Sequence, residues 1–246
     1  MTRILSFIFF TLFIYSSSGK AQGVAFGIKG GPTLATQRWE SFDREPLIAT
    51  HFILSLESLA EEGEFSIFGQ VGYHNRGSAL RFRSFTFTDI TTGAPRTFSG
   101  STTRYEFRNL GLAIGFKQRF TASIGNLYYL LGLRGEYNLN NNLDQFNDFP
   151  PSVRSGFPSE IGVNDFIGGF IFGGGFELPI SDFIDANIEL TINPDFTKQY
   201  FQPAFSNAFN PFTGNNDRNI PELNIRNNTF ELSIGFRFKR IVEYIE

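Results

Sequence analysis

Few residues in this chain are equipped for chemistry. His51 and His74 are the only histidines and there is no cysteine. Charged residues recur inside otherwise apolar runs: Lys29, Glu57, Lys117, Arg134, Glu136, Glu177, Asp185, Glu189, Glu231 and Arg237. Two neighbouring imidazoles can share a metal ion, but metal sites ordinarily draw on three or four His, Cys or carboxylate ligands. With no third His or Cys to help, His51 and His74 are a weak metal candidate and read first as a polar pair lining a mouth. Nucleophilic catalysis needs a base within hydrogen-bond reach of a hydroxyl or thiol. The local candidates are His74 with Ser78 and an acid such as Glu57 or Glu106. A Ser and a His at this spacing along one strand are common by chance, so no catalytic residue and no cofactor is assigned.

The charged residues gain meaning from the elements that carry them. Two-residue alternation recurs at 24–29, 52–57, 65–74, 109–117, 127–136, 166–178, 184–193 and 230–238. In the run at 184–193, Ile184, Ala186, Ile188, Leu190 and Ile192 share one face, and Asp185, Asn187, Glu189, Thr191 and Asn193 the other. A tilted strand crosses a bilayer in about 9–11 residues. Eight such strands, an even number, fit a single-chain bacterial barrel. Short links at 61–64, 121–126 and 181–183 alternate with long ones at 37–50, 83–104, 138–165 and 198–227, the layout of periplasmic turns and extracellular loops. A soluble eight-stranded barrel would share the alternation with its faces reversed.

The expected fold is therefore all-β, an eight-stranded antiparallel up-and-down transmembrane barrel. A barrel this narrow is filled by its own side chains, so the ten charged residues must pair inside it as a lumenal network. Face parity forces the numbers of residues paired between the second and third strands to sum to an odd value. The turn at 61–64 centres that sum on 125, which sets His51 opposite His74 on the lumenal face.

The N-terminus reads as an export leader. Arg3 is followed by an uncharged apolar run from Ile4 to Tyr15, then by small residues with Gly19 and Ala21 at −3 and −1 of a cut after Ala21. The expected division is a signal peptide at 1–21 and a barrel domain at 22–246. Removal of the leader leaves 19 basic and 24 acidic residues, a charge of −5, which argues against nucleic acid as a partner. The absence of cysteine rules out disulfides. The 32 Phe and 25 Gly suit a barrel that shows aromatics to lipid and glycines to a cramped lumen.

Two segments carry a resemblance. Phe26-Gly-Ile-Lys-Gly-Gly-Pro-Thr33 resembles the first strand of the PorT-like and OmpX-like outer-membrane β-barrel proteins common in Bacteroidota. Glu231-Leu-Ser-Ile-Gly-Phe-Arg-Phe238, with Gly235 followed by Phe236 and Phe238, resembles the terminal-strand signal read by the barrel assembly machinery. The resemblance implies outer-membrane localisation in a Gram-negative bacterium and contact with the assembly machinery during biogenesis, but it fixes no activity. The motifs of the secretion-system PorT itself are missing.

The loops offer the larger binding surface. The segments 138–159 and 207–228 are rich in Asn, Pro and Gly. Phe146, Phe149, Phe157, Tyr200, Phe201, Phe205, Phe209 and Phe212 lie in or beside them, available to cap the mouth or to meet a partner. Residues 80–107 are expected to extend two strands as a protruding hairpin around a turn at 92–95. The functional expectation is a non-enzymatic barrel surrounded by outer-membrane lipid, binding a protein partner or ligand through its loops or serving as a subunit of an envelope complex. The alternatives are a narrow solute or ion pore and a lipid-modifying enzyme.

Overall fold

The computed structural model describes residues 23–38, 44–59, 65–82, 84–88, 93–147, 158–208, 210 and 213–241. The leader at 1–21 and the turn at 61–64 lie outside the described residues, as do Phe149, Phe157, Phe209 and Phe212. Strands are numbered in chain order. The first three are β1 (Gly23–Arg38), β2 (Leu47–Leu59) and β3 (Phe65–Phe82), followed by the short β4 (Phe85–Thr88) and β5 (Pro95–Phe98). Next come β6 (Ser101–Ala122), β7 (Gly125–Asn141), β8 (Phe166–Pro179) and β9 (Ile184–Pro194). The short β10 (Tyr200–Gln202), β11 (Phe205–Ala208) and β12 (Arg218–Ile220) precede the last strand, β13 (Leu223–Ile241).

Eight of these close a ring in the order β1-β2-β3-β6-β7-β8-β9-β13, with β13 paired back onto β1. All neighbours in the ring are antiparallel, and closure leaves no free edge along it. Gly23 pairs with both Leu59 and Ile241, so the first and last strands begin and end level with the short turns.

Which face points inward decides between a membrane barrel and a soluble one. Along β13 the exposure runs Phe230 36%, Glu231 0%, Leu232 43%, Ser233 1%, Ile234 63%. The same sense holds around the ring: Leu56, Ile67, Leu112, Leu133, Phe172 and Ile188 point out, while Glu57, Ser66, Lys117, Arg134, Glu177 and Glu189 point in. A soluble barrel would bury the first set, since water-facing apolar surface is unfavourable. Aromatic pairs flank the belt, Phe65 with Phe116 and Phe120 with Tyr129 near the short turns, Tyr137 with Phe166 near the loops. Such girdles mark the two membrane interfaces of a transmembrane barrel.

The strands run farther than the alternation alone suggested. β3 has 18 residues and β6 has 22, against the 9–11 or so a tilted crossing needs. Phe82 pairs with Ser101, and β4–β5 continue beyond as a two-stranded hairpin, so the expected protrusion is present and the long link at 83–104 is shorter than proposed. Outside the hydrocarbon layer a strand needs no apolar outer face, so the pattern fades while the hydrogen-bond ladder continues. Tyr200 pairs with Ile225, which lets β10 prolong the β9 side of the ring along β13.

Glycines make room for large lumenal side chains. A Cβ on Gly115 would lie 2.8 Å from the Phe68 ring, and one on Gly175 2.5 Å from the Tyr128 hydroxyl. Gly77 is a different case. Its φ of +147° disfavours any other residue, and a Cβ there would meet the Tyr105 carbonyl oxygen at 1.8 Å.

Candidate functional site

All ten charged residues singled out from the sequence are buried and line the lumen. They are not evenly spread; read up β13 from the short turns, they fall into layers. Lowest is a cluster around Glu177. Lys117 Nζ lies 3.1 Å from its Oε1 and 3.0 Å from Glu57 Oε2. Arg119 Nε donates to Glu177 Oε2 at 2.7 Å and a second nitrogen reaches Glu57, while Arg237 donates to Glu177 at 2.6 Å. Asp185 is held by Lys239 at 2.9 Å and lies 3.4 Å from Arg237.

Above this, Lys29 pairs with Glu189 at 2.5 Å, and the Tyr128 hydroxyl donates to the other carboxylate oxygen at 2.9 Å. Beside them Phe68, Tyr128, Leu130 and Ile171 form an apolar layer across the bore.

The histidines come next. His51 and His74 are partners in register, as the sum of 125 requires, with ring centroids 6.2 Å apart and planes at 11°. His51 Nδ1 is 2.9 Å from Thr33 Oγ1, and its Nε2 is 2.7 Å from Ser233 Oγ; His74 Nδ1 is 2.8 Å from Glu231 Oε1. The expectation that this pair lines the mouth needs correction. β3 continues from His74 to Phe82 and carries further side chains above it, so the pair sits enclosed within the bore. Three of its four ring nitrogens already face protein partners, and no cluster of three potential metal ligands occurs among the described residues.

The fourth layer centres on Glu136. Arg76 grips it with two nitrogens, one at 2.6 Å, and also reaches Thr229. Arg134 donates to Glu136 at 2.5 Å and pairs with Asp195, and Asn109 adds a bond at 2.9 Å. A cavity of about 10 Å³ beside His74, Arg134, Glu136 and Asn193 has room for about one water molecule. Tyr105, Phe107, Leu143, Phe146, Tyr200 and Ile225 close the outer end as a buried apolar cluster, with the Arg44 guanidinium 4.3 Å above the Tyr105 ring. Of the loop aromatics, Phe146 and Tyr200 thus belong to the cap, whereas Phe201 (37%) and Phe205 (42%) stay exposed.

Arg76, Arg119 and Asp195 are buried members of the network that sequence reasoning missed. Each continues its strand's lumenal parity by two residues, beyond His74, Lys117 and Asn193, so extending the alternation would have found them. The candidate serine–histidine–acid set is not brought together. Ser78 donates to Gln37 at 2.7 Å, His74 is engaged by Glu231, Glu57 belongs to the lowest layer, and Glu106 lies 3.5 Å from Arg104. The pair that does meet, His51 with Ser233, is sealed in the bore.

Six buried cations (Lys29, Arg76, Lys117, Arg119, Arg134, Arg237) face seven buried carboxylates (Glu57, Glu136, Glu177, Asp185, Glu189, Asp195, Glu231) among the described residues, and the half-buried Lys239 brings the count level. The charges lining the bore are therefore balanced among the described residues. A closed ring with an apolar outside, a charged and filled inside and elaborated loops at one end is a membrane-spanning β-barrel of the outer-membrane type. No family model matches the sequence, and no curated protein does. Among solved structures, the chain is similar to the attachment invasion locus protein Ail of Yersinia pestis, determined in complex with the heparin analogue sucrose octasulfate (12% identity, 88% of this chain and 99% of that chain, TM-score 0.38). It is also similar to Neisserial surface protein A (10%, 87% and 96%, TM-score 0.42) and to the outer membrane protease OmpT of Escherichia coli (9%, 90% and 98%, TM-score 0.43). Likeness at this level says nothing about activity.

Proposed function

We propose that the protein is a non-enzymatic barrel of a Gram-negative outer membrane, exported by a leader cleaved after Ala21, that binds a partner through its extracellular loops or joins an envelope complex. Membership of the PorT-like group is part of this reading and rests on Phe26–Thr33 in β1 and Glu231–Phe238 in β13. The observation that supports this reading is the packed bore: among the described residues its buried charges pair with one another, and the histidine that meets a serine, His51, lies inside it. The groups left to meet a partner are on the loops, where Phe201 and Phe205 remain exposed.

Photo-crosslinking side chains in place of Phe201 or Phe205 are expected to capture a discrete partner in native membranes. One in place of the lumenal Leu130 is expected to capture none. Loop positions that give no adduct, in a protein whose phenotype depends on lumenal residues, would contradict the proposal. N-terminal sequencing of the membrane-extracted protein should begin at Gln22.

A further inference from the structure

We propose that Arg38 and Arg226 clamp the phosphate of a lipid headgroup at the outer rim of the barrel, where β1 closes onto β13. The inference rests on the outer-membrane reading above. The two arginines are direct cross-strand partners, and both are exposed on the lipid-facing side. Residues placed this way have Cβ atoms about 5 Å apart, a spacing at which like charges destabilise a sheet. Neither arginine forms an ion pair with a described residue. Glu222, which precedes β13 four residues from Arg226, is engaged by Asn224 and Lys198.

Position along the seam indicates the kind of anion. Leu34 pairs with Phe230, Thr36 with Asn228, and Arg38 with Arg226, so the outward face passes from apolar to polar to cationic in two steps. Four residues of strand span about 13 Å, or about 10 Å of height at a tilt near 40°. That carries the arginines from the last lipid-facing pair of the seam toward the headgroup layer, which extends about 5–7 Å beyond the hydrocarbon on each side. Two guanidinium forks present paired donors suited to the oxygens of one phosphate. The apolar column that starts at Leu34 and Phe230, below the Thr36–Asn228 pair, gives the acyl chains of the same lipid a surface to lie on. A free phosphate would gain nothing from that column.

Native mass spectrometry of the full mature barrel tests this, using an equimolar mixture of dioleoyl phosphatidic acid and dioleoyl phosphatidylcholine. The wild type is expected to retain the phosphate monoester about tenfold over phosphatidylcholine, and R38Q/R226Q to fall to near parity. Arg108→Gln, another outward arginine near the rim, should leave the preference intact. Millimolar inorganic phosphate should not displace the lipid. An unchanged preference in the double variant would overturn the clamp, and so would displacement by inorganic phosphate, which would mark a site for free anion. If the double variant does not fold, R226Q alone is read in the same way and should show a clear loss. Absence of heat-modifiable gel mobility in the wild type would count against the barrel reading itself and not against the clamp.

Discussion

Glu177 receives Lys117, Arg119 and Arg237 inside the bore, where it is 1% exposed. Removing one partner of a buried ion pair leaves the others uncompensated, so Glu177→Leu should destabilise the barrel by about 3–5 kcal/mol, read as a lower urea midpoint for unfolding from lipid vesicles. Glu189→Leu, which strands Lys29 and deprives the Tyr128 hydroxyl of its acceptor, should cost a similar amount. The double variant Lys29→Leu/Glu189→Leu should recover much of that loss, because a buried pair replaced by apolar groups of similar volume is often neutral. If Glu189→Leu and the double variant were equally destabilised, packing around the pair rather than its charge would be what matters.

The strand is the unit whose parity sorts the residues. Ile188 and Glu189 are neighbours in β9, one 55% exposed on the belt and the other 1% exposed in the bore. Ile188→Lys should therefore cost about 2–4 kcal/mol in the same assay by placing a charge in hydrocarbon at mid-strand. A neutral result, with Ile188 reachable by aqueous labels, would reverse inside and outside. Alternation made the eight strands, their faces and the pairing of His51 with His74 legible without coordinates. It did not reveal Arg76, Arg119 or Asp195, because Asn75, Gln118 and Pro194 interrupt the apolar outer face just before them while the lumenal parity runs on. Nor did alternation alone say which face was inside. The apolar cap was only half legible: Phe146 and Tyr200 join Tyr105, Phe107, Leu143 and Ile225 through contacts between residues far apart in the chain.

For the whole molecule, the proposal places stability in the ring and recognition at its outer end. Removal of residues 207–219 should leave assembly and heat-modifiable mobility unchanged, since register is fixed by the alternating faces and by pairs such as Tyr200 with Ile225 that the deletion spares. The same deletion should abolish partner capture. The central claim is that the bore is shut and the loops act. Single-channel recording in planar bilayers tests it most directly, on the wild type, Arg134→Ala and the loop deletion. The expected result is conductance absent or far below that of a porin in the wild type, because side chains occupy the volume water would need. Well-resolved, solute-selective conductance, altered by Arg134→Ala and untouched by the loop deletion, would contradict the account and make the protein a pore.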